Sequence, residues 1–170
     1  PTFNSNRISL LDRGFAYAIA HIRGGQELGR QWYENGKLLK KKNSFTDFIS
    51  CGEFLVAQGY TSPERLFAMG GSAGGLLMGA MITQHPQMFR VAVSHVGIYD
   101  MLRVELSANG AFNVPEYGTV RVPEQFDALY GYSPYHRVRD GMAYWNTVLG
   151  KAVFVETFDA AGDGITCAFD

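Results

Sequence analysis

Cysteine is scarce in this chain of 170 residues, since Cys51 and Cys167 are the only two. Two cysteines cannot form a disulfide framework, and these two have neither CxxC spacing nor clustered histidines beside them. A structural zinc site is therefore not expected, and we predict that the chain binds no metal and no cofactor. Free cysteines are typical of a reducing compartment, so we expect a cytoplasmic protein.

Excess charge of either sign is also lacking. The chain has 15 lysines and arginines against 16 aspartates and glutamates, which gives a formal net charge of −1. A nearly neutral surface does not attract nucleic acid or an anionic membrane over long distances. The one basic run, KLLKKKN at residues 37–43, is expected to be solvated surface. We therefore expect neither nucleic acid nor a membrane among the partners.

Long hydrophobic runs are missing as well. No apolar stretch approaches the roughly 20 residues that a membrane-spanning helix needs. Hydrophobic residues nevertheless make up 46% of the chain and charged residues 18%, which is a composition that can bury a core. A chain of this length fits one domain or part of one.

Short apolar runs alternate with segments of helical spacing. Apolar residues recur at helical spacing between Ser44 and Gly59; Ser44 and Asp47 form the pattern of a capping box, and Gly59 ends the helix. Further helices are predicted over residues 76–84 and from Pro123 onward. Predicted strands cover residues 14–22, 66–69, 91–96 and 152–157. This alternation predicts an α/β fold, with a mostly parallel sheet and helices on both faces.

Ser72 lies in the stretch Gly70-Gly71-Ser72-Ala73-Gly74, which matches the pattern G-x-S-x-G. The pattern follows a predicted strand and precedes a predicted helix, as the nucleophile elbow of hydrolases requires. Binding sites in α/β sheets form beyond the carboxyl ends of the strands, which is where Ser72 falls. We therefore predict that Ser72 is a nucleophile, the alternative being a plain glycine-rich turn.

The glycines around Ser72 have a steric explanation. An elbow brings the strand and helix backbones close together and holds the serine in an unfavourable conformation. Side chains two residues on either side would collide, so we expect Gly70 and Gly74 to relieve the crowding. Gly75 and Gly79 are expected to let the helix pack closely on the sheet. The backbone N–H of Ala73 is expected to donate one hydrogen bond to an oxyanion.

A serine nucleophile needs a base, and the base needs an orienting acid. Of the four histidines, only His136 comes late enough to follow an acid such as Asp100, so the order serine, acid, histidine permits a Ser72–Asp100–His136 triad. The alternative is that His136 is an ordinary loop residue. Asp159 and Asp163 follow the last predicted strand, where an orienting acid often lies, but no histidine comes after them.

Several longer motifs occur together in one order. They are IRGGQELG, KKNSFTDF, GYTSPERL and GGSAGG, followed by VGIYDML, EQFDALYGYSPYHRV and DGMAY. In this combination the chain resembles the catalytic domain of the prolyl oligopeptidase family of serine peptidases, with the oligopeptidase B branch and bacterial relatives nearest in character. The resemblance covers about residues 1–144, and residues 145–170 form a tail that does not match it.

The resemblance implies a partial α/β-hydrolase domain that cleaves short peptides or activated esters through an acyl-enzyme on Ser72. Full-length members also contain a β-propeller domain and the rest of the hydrolase domain, which would be the missing partners here. The family's second oxyanion donor, a tyrosine hydroxyl, and its catalytic histidine have no counterpart in these residues. Asp159 or Asp163 stands near the place of the family's acid. The isolated chain is therefore expected to be a very poor hydrolase.

Substrate preference also follows from the resemblance. Ahead of the Tyr-Gly pair, oligopeptidase B has acidic residues that bind a basic side chain; here Asn113 and Pro115 take those places, and only Glu116 is kept. Tyr117 matches a tyrosine that lines the family's specificity pocket. Arg23 is either structural or substrate-facing. We expect no strong preference for basic residues.

Two other interpretations stay open at this point. A small esterase could use Ser72, Asp100 and His136 as its triad. A non-catalytic chain could instead act only as a packing or interaction module.

Overall fold

A pair of parallel strands and the helix that connects them form the centre of the computed structural model, which describes residues 3–149, 154–159 and 162–167. The two strands pair in register from Phe67 opposite Val91 to Gly71 opposite His95. The described strands are β1 (Phe67–Gly71), β2 (Val91–His95), β3 (Phe154–Asp159) and β4 (Gly162–Cys167). The described α-helices are α1 (Ile8–Leu11), α2 (Arg30–Glu34), α3 (Lys42–Ala57), α4 (Ala73–Gln84), α5 (Gly110–Tyr117), α6 (Pro123–Tyr132) and α7 (Pro134–Leu149).

The predicted βαβ unit is confirmed at β1, α4 and β2, because a parallel pair needs a crossover and α4 provides it. α4 is nearly free of polar residues and is buried over most of its length, with Leu76, Met78 and Ala80 fully buried. It packs on both strands on one side and on α7 on the other. A helix that is hydrophobic all round is a core helix, and α4 is the centre of this core.

One face of the β1–β2 sheet carries no helix within the described ranges. Phe67, Met69, Val91 and Val93 point to that face and are 39–50% exposed. Their neighbours Ala68 and Ala92 point the other way, against α4. The α/β class is therefore confirmed, whereas the helices predicted for both faces are seen on one face only. Helices were predicted on both faces because parallel sheets are ordinarily covered on both. The described helices cover only the face of the β1–β2 sheet that packs on α4.

The strand predicted over residues 14–22 is wrong. These residues form no ladder with β1, although the Phe15 ring lies 5.5 Å from the Phe67 ring. At the end of the segment, side chains bind the backbone instead: Trp32 Nε1 donates to the carbonyl of His21 at 3.3 Å, and the amide of Arg23 donates to Asp47 at 2.9 Å. Backbone groups that bind side chains in this way are not available to a neighbouring strand.

The first long helix begins earlier than predicted, and its capping box is wrong. α3 starts at Lys42, so Ser44 and Asp47 lie inside the helix rather than at its end. Ser44 is buried, and its hydroxyl donates to the carbonyl oxygen of Arg23 at 2.5 Å. Both polar side chains therefore bind the loop that carries Arg23 instead of capping α3. The end of the helix is as predicted, since Gly59 follows it with a φ of +74°.

The fourth predicted strand has a different partner from the one expected. β3 covers part of the predicted range and pairs antiparallel with β4, from Phe154 opposite Cys167 to Asp159 opposite Gly162. It does not join the β1–β2 sheet. The prediction of α6 is confirmed, since it begins at Pro123. None of the helices in the described part of the chain is long and apolar enough to cross a bilayer.

The Arg23–Asp47 pair yields a test of this arrangement. The Arg23 guanidinium donates to both carboxylate oxygens of Asp47, at 2.8 and 2.6 Å. These hydrogen bonds hold the pKa of Asp47 below its ordinary value of 3.8. A carboxyl whose pKa is lowered by folding stabilises the fold above its unfolded pKa, and that contribution is lost as the pH falls through the folded pKa.

We expect Asp47→Asn to lower the free energy of unfolding by about 1–2 kcal/mol at pH 7, because both partners are only partly buried. The difference from wild type should shrink as the pH falls below about 4. Urea unfolding between pH 2.5 and 7 measures this. Glu53→Gln, on the exposed side of α3, is the matched control and should be neutral. A difference that does not depend on pH would contradict the ion pair.

Candidate active site

Ser72 occupies the turn between β1 and α4. Its backbone has φ +56° and ψ −112°, outside the regions that L-residues ordinarily occupy. Its amide donates to the carbonyl of His95 at 2.9 Å, and its own carbonyl accepts from the amide of Leu76 at 3.0 Å. A strained serine held from both sides, with an exposed side chain, is the local geometry that the strand–turn–helix pattern predicts.

Of the two glycines predicted to relieve crowding at the turn, only Gly70 does so. A methyl group at Gly70 would overlap the carbonyl carbon and oxygen of Gly74, so only glycine fits at position 70. A methyl group at Gly74 would meet nothing within 4 Å, and the prediction that Gly74 relieves a clash is wrong. A methyl group at Gly71 would only reach ordinary contact with His95, at 3.6 Å. The backbone of Gly74, not a side chain there, is what Gly70 must accommodate.

Two further glycines set the path of α4. A methyl group at Gly75 would lie 2.5 Å from the Cα of Gly97 and 2.9 Å from the carbonyl oxygen of His95, which confirms that Gly75 lets the helix approach β2. Gly79 does not face the sheet as predicted, because it lies against Pro134 and the Tyr99 ring. The helix is thus pressed against the end of β2 at its first turn and against α7 further along.

The first turn of α4 is available to an anion. Ala73 is the first residue of this 12-residue helix, and no side chain caps its N-terminus. The first N–H groups of a helix have no partner inside the helix, and the helix dipole favours negative charge there. Ser72 and Ala73 therefore belong to one corner, where the predicted nucleophile and the predicted oxyanion donor are neighbours in the chain.

The esterase triad is not assembled in the structure. The Asp100 carboxylate binds the Arg103 guanidinium and accepts from the amide of Leu102 at 3.2 Å. His136 Nδ1 lies 2.9 Å from Ser133 Oγ, and its ring is packed between aromatic neighbours. Within the described residues, no hydrogen bond joins Ser72, Asp100 and His136. The side chains of Asp100 and His136 each bind a residue three positions away along the chain instead of binding each other.

The other two candidate acids lie on the β3–β4 hairpin. The backbone of Asp159 ends β3 and that of Asp163 lies on β4, opposite Phe158. Their side chains are outside the described residues, so their role stays a prediction. In the part of the chain that the structure covers, no cluster of three or more histidine, cysteine, aspartate or glutamate side chains is placed to hold a metal ion.

Arg23 is bound to other parts of the protein by its side chain and by its backbone. Its guanidinium is bound to Asp47, whose hydrogen bonds raise the pKa of Arg23. Its carbonyl accepts from the Ser44 hydroxyl, and a methyl group at Gly36 would overlap the Arg23 backbone. Of the two roles left open for Arg23, these contacts support the structural one, in which Arg23 joins the segment 23–36 to α3, and a contact with substrate stays a prediction.

Lys41 is a residue that the sequence analysis missed. It belongs to the basic run expected to be solvated, but its side chain is only 8% exposed and its Nζ lies 2.6 Å from Glu116 Oε1. The ammonium also lies over the Tyr117 ring, 5.1 Å from the centroid. Glu116, which had been a candidate for binding a substrate cation, therefore already has an internal partner. The sequence alone gives no sign that Lys41 differs from the other lysines of the run, because its partner Glu116 lies 75 residues further along the chain.

The residues expected to line the substrate pocket lie together on α5. Asn113 is half-buried, one helical turn before Tyr117, and Tyr117 is only 3% exposed. Burial, with the nearby Glu116 charge, raises the pKa of Tyr117 to about 12. The Tyr117 hydroxyl is therefore neutral at all ordinary pH values. Glu116 also raises the pKa of Tyr33, after the larger effect of burial.

A serine at a strained corner between a parallel strand and a helix N-terminus defines the nucleophile elbow of the α/β hydrolases. The model of the prolyl oligopeptidase family matches residues 1–151. The chain therefore belongs to the prolyl oligopeptidase family.

Individual relatives agree with this membership. Dipeptidyl aminopeptidase BI of Pseudoxanthomonas mexicana is 45% identical over 142 residues, which are 82% of this chain and 20% of that protein. Prolyl endopeptidase of Elizabethkingia meningoseptica is 41% identical over 150 residues, 88% of this chain and 21% of that protein. The structure of oligopeptidase B from Trypanosoma brucei with covalently bound antipain has a TM-score of 0.78 and 42% identity, covering 81% of this chain and 20% of that one. The chain spans about a fifth of the length of these relatives.

The one-sided crowding at the elbow predicts opposite outcomes for two similar changes. We expect Gly70→Ala to lower the free energy of unfolding by about 2–3 kcal/mol, because its methyl group has no room. Gly74→Ala should be neutral or stabilising by up to about 1 kcal/mol, because it replaces a glycine inside a helix. Thermal and urea unfolding of both variants measure the contrast. Equal destabilisation by the two changes would contradict this geometry.

Proposed function

We propose that the protein is a serine peptidase that cleaves short peptides through an acyl-enzyme on Ser72. The observation that carries the proposal is the conformation of Ser72 at the exposed start of α4. Family membership supports it, and the relatives named above are peptidases by name. As in those longer relatives, we propose that the rest of a hydrolase domain and a propeller domain complete the enzyme.

The proposed chemistry begins with attack of Ser72 Oγ on the carbonyl carbon of the scissile bond. The serine proton passes to a base, which then gives it to the leaving amine, and water later releases the acyl group from Ser72. The Ala73 N–H at the start of α4 stabilises the oxyanion of each tetrahedral intermediate. Because donor and nucleophile are neighbours on one strained turn, their relative position is fixed before substrate binds.

We propose that the base is a residue other than the described histidines. His21 pairs with Glu27 at 3.5 Å, and His136 pairs with Ser133. Neither His85 nor His95 forms a hydrogen bond to Ser72 through its ring within the described part of the chain. The proposal therefore assigns the base to a group that the described residues do not contain, and the orienting acid to Asp159 or Asp163 or another residue near them.

The Lys41–Glu116 pair supports a substrate class. A carboxylate that already binds an ammonium at 2.6 Å offers little net charge to a substrate cation. Asn113 and Pro115, the other residues at the corresponding positions, carry no charge. We propose that the substrate pocket to which these α5 residues would contribute accepts uncharged side chains.

The nucleophile is tested by Ser72→Ala in the protein expressed from its complete coding region. We expect peptide hydrolysis to fall by a factor of about 10⁵ or more, as when triad members are removed from other serine hydrolases. Ser50→Ala, an exposed serine of α3, is the matched control and should keep full activity. More than a tenth of wild-type activity in Ser72→Ala would contradict the proposal. The isolated 170-residue polypeptide should be nearly inactive with or without Ser72, because it lacks a positioned base.

Substrate class is tested with arginyl and citrullyl chromogenic peptides, which have nearly the same shape and differ in charge. With Glu116 neutralised by Lys41, we expect their kcat/KM values to agree within about tenfold, since no free carboxylate forms a charge-assisted bond. A prolyl and an alanyl peptide complete the comparison. A preference of about a hundredfold or more for arginyl over citrullyl would refute the idea.

A further inference from the structure

Ser94 is a polar residue on the face of the β1–β2 sheet that packs against α4. Along β2, alternate residues point to opposite faces, and Ala92 and Ser94 point toward α4. Ser94 is half-buried there, where a hydroxyl without a partner would be costly. Its Oγ donates to the carbonyl oxygen of Gly75, in the first turn of α4, at 3.1 Å. Ser94 therefore ties β2 to the beginning of the helix that carries the elbow.

The same Ser94 oxygen accepts a hydrogen bond from Tyr99. The two hydroxyl oxygens lie 2.7 Å apart. A carbonyl can only accept and each hydroxyl has one proton, so the direction of both hydrogen bonds is fixed. The Tyr99 O–H donates to Ser94, and the Ser94 O–H donates to Gly75. Hydrogen bonds in such a series polarise and strengthen one another.

Two glycines make room for the Tyr99 ring. A methyl group at Gly97 would lie 2.5 Å from two ring carbons and 2.6 Å from the hydroxyl oxygen, and a methyl group at Gly79 would lie 2.9 Å from the ring. The ring thus lies between the segment that leaves β2 and the middle of α4. Its position is set by close packing on both, although 41% of the residue is exposed.

The hydrogen bonds from Tyr99 to Ser94 and from Ser94 to Gly75 adjoin the residues that hold Ser72. The residue after Ser94 is His95, whose carbonyl accepts from the Ser72 amide. Gly75, whose carbonyl accepts from Ser94, also approaches the Gly97 Cα and the His95 carbonyl. The orientation of Ser72 and the docking of the first turn of α4 therefore depend on one short segment of β2 and its exit.

We propose that Ser94 and Tyr99 are positioning residues for Ser72. Their hydrogen bonds fix the first turn of α4 against the end of β2, and so fix Ser72 Oγ relative to the Ala73 N–H. Displacements of about 1 Å in a catalytic group can cost about a hundredfold in rate, so a small loosening of this turn is measurable. The inference rests on the proposed role of Ser72 as the nucleophile. It adds two residues that touch neither substrate nor the reacting atoms.

The test compares Tyr99→Phe and Ser94→Ala with Tyr130→Phe in the protein expressed from its complete coding region. Tyr130, on α6, is 44% exposed, so Tyr130→Phe makes the same chemical change at a similar exposure away from the elbow. The readouts are the rate of Ser72 acylation by a fluorophosphonate, and kcat and KM for one peptide. All are measured well below each variant's unfolding temperature.

We expect Tyr99→Phe and Ser94→Ala to lower kcat and the acylation rate by about 5–20-fold with KM within twofold, and Tyr130→Phe to match wild type. The double variant should be no slower than Ser94→Ala, because the two hydroxyls act in series. Ser94→Thr, which keeps the hydroxyl, should recover most of the rate.

Two results would overturn the inference while Ser72→Ala stays inactive. One is wild-type acylation rates in both Tyr99→Phe and Ser94→Ala. The other is a rise in KM with kcat unchanged, which would place the two residues in substrate binding. Substantial activity surviving in Ser72→Ala would instead overturn the proposed function, and the inference with it.

Discussion

The close approach of the Gly70 and Gly74 backbones is the constraint on which the rest of the structure depends. Position 70 can carry no side chain, because the carbonyl of Gly74 occupies the space that a Cβ would need. That approach lets β1 turn directly into α4, and the turn leaves Ser72 at φ +56°. The helix then starts directly after Ser72, with an N-terminus that no side chain caps. Strain at this one residue is offset by the burial of α4 in the core.

Two ion pairs join segments that lie far apart in the sequence. Arg23 with Asp47 joins the segment 23–36 to α3, and Lys41 with Glu116 joins the start of α3 to α5. Each uses a side chain that a motif-based analysis assigns to the surface or to substrate. The Lys41 side chain is only 8% exposed, and a charge so placed is rarely left unpaired, because burying a lone charge is very costly. The Lys41–Glu116 pair is the basis of the proposal that the substrate pocket accepts uncharged side chains.

Local patterns predicted the elbow correctly, and long-range contacts decided what they missed. The G-x-S-x-G spacing, the apolar α4 and the breaks at Gly59 and Pro123 are local features with local physical causes. The capping box at Ser44 failed because a loop about 20 residues earlier in the chain competed for its hydroxyl. The strand over residues 14–22 failed because apolar composition does not specify a partner, and a strand needs one. The same limit explains why the burial of Lys41 could not be predicted.

The central claim is that the strained serine is the reactive one, and the position of a covalent adduct tests it most directly. The protein from its complete coding region is treated with a fluorophosphonate until hydrolysis stops, and its peptides are then mapped by mass spectrometry. The account predicts one phosphonyl group per molecule, on Ser72, in step with the loss of activity. An unmodified Ser72 in fully inhibited protein, or an adduct on another residue, would contradict it.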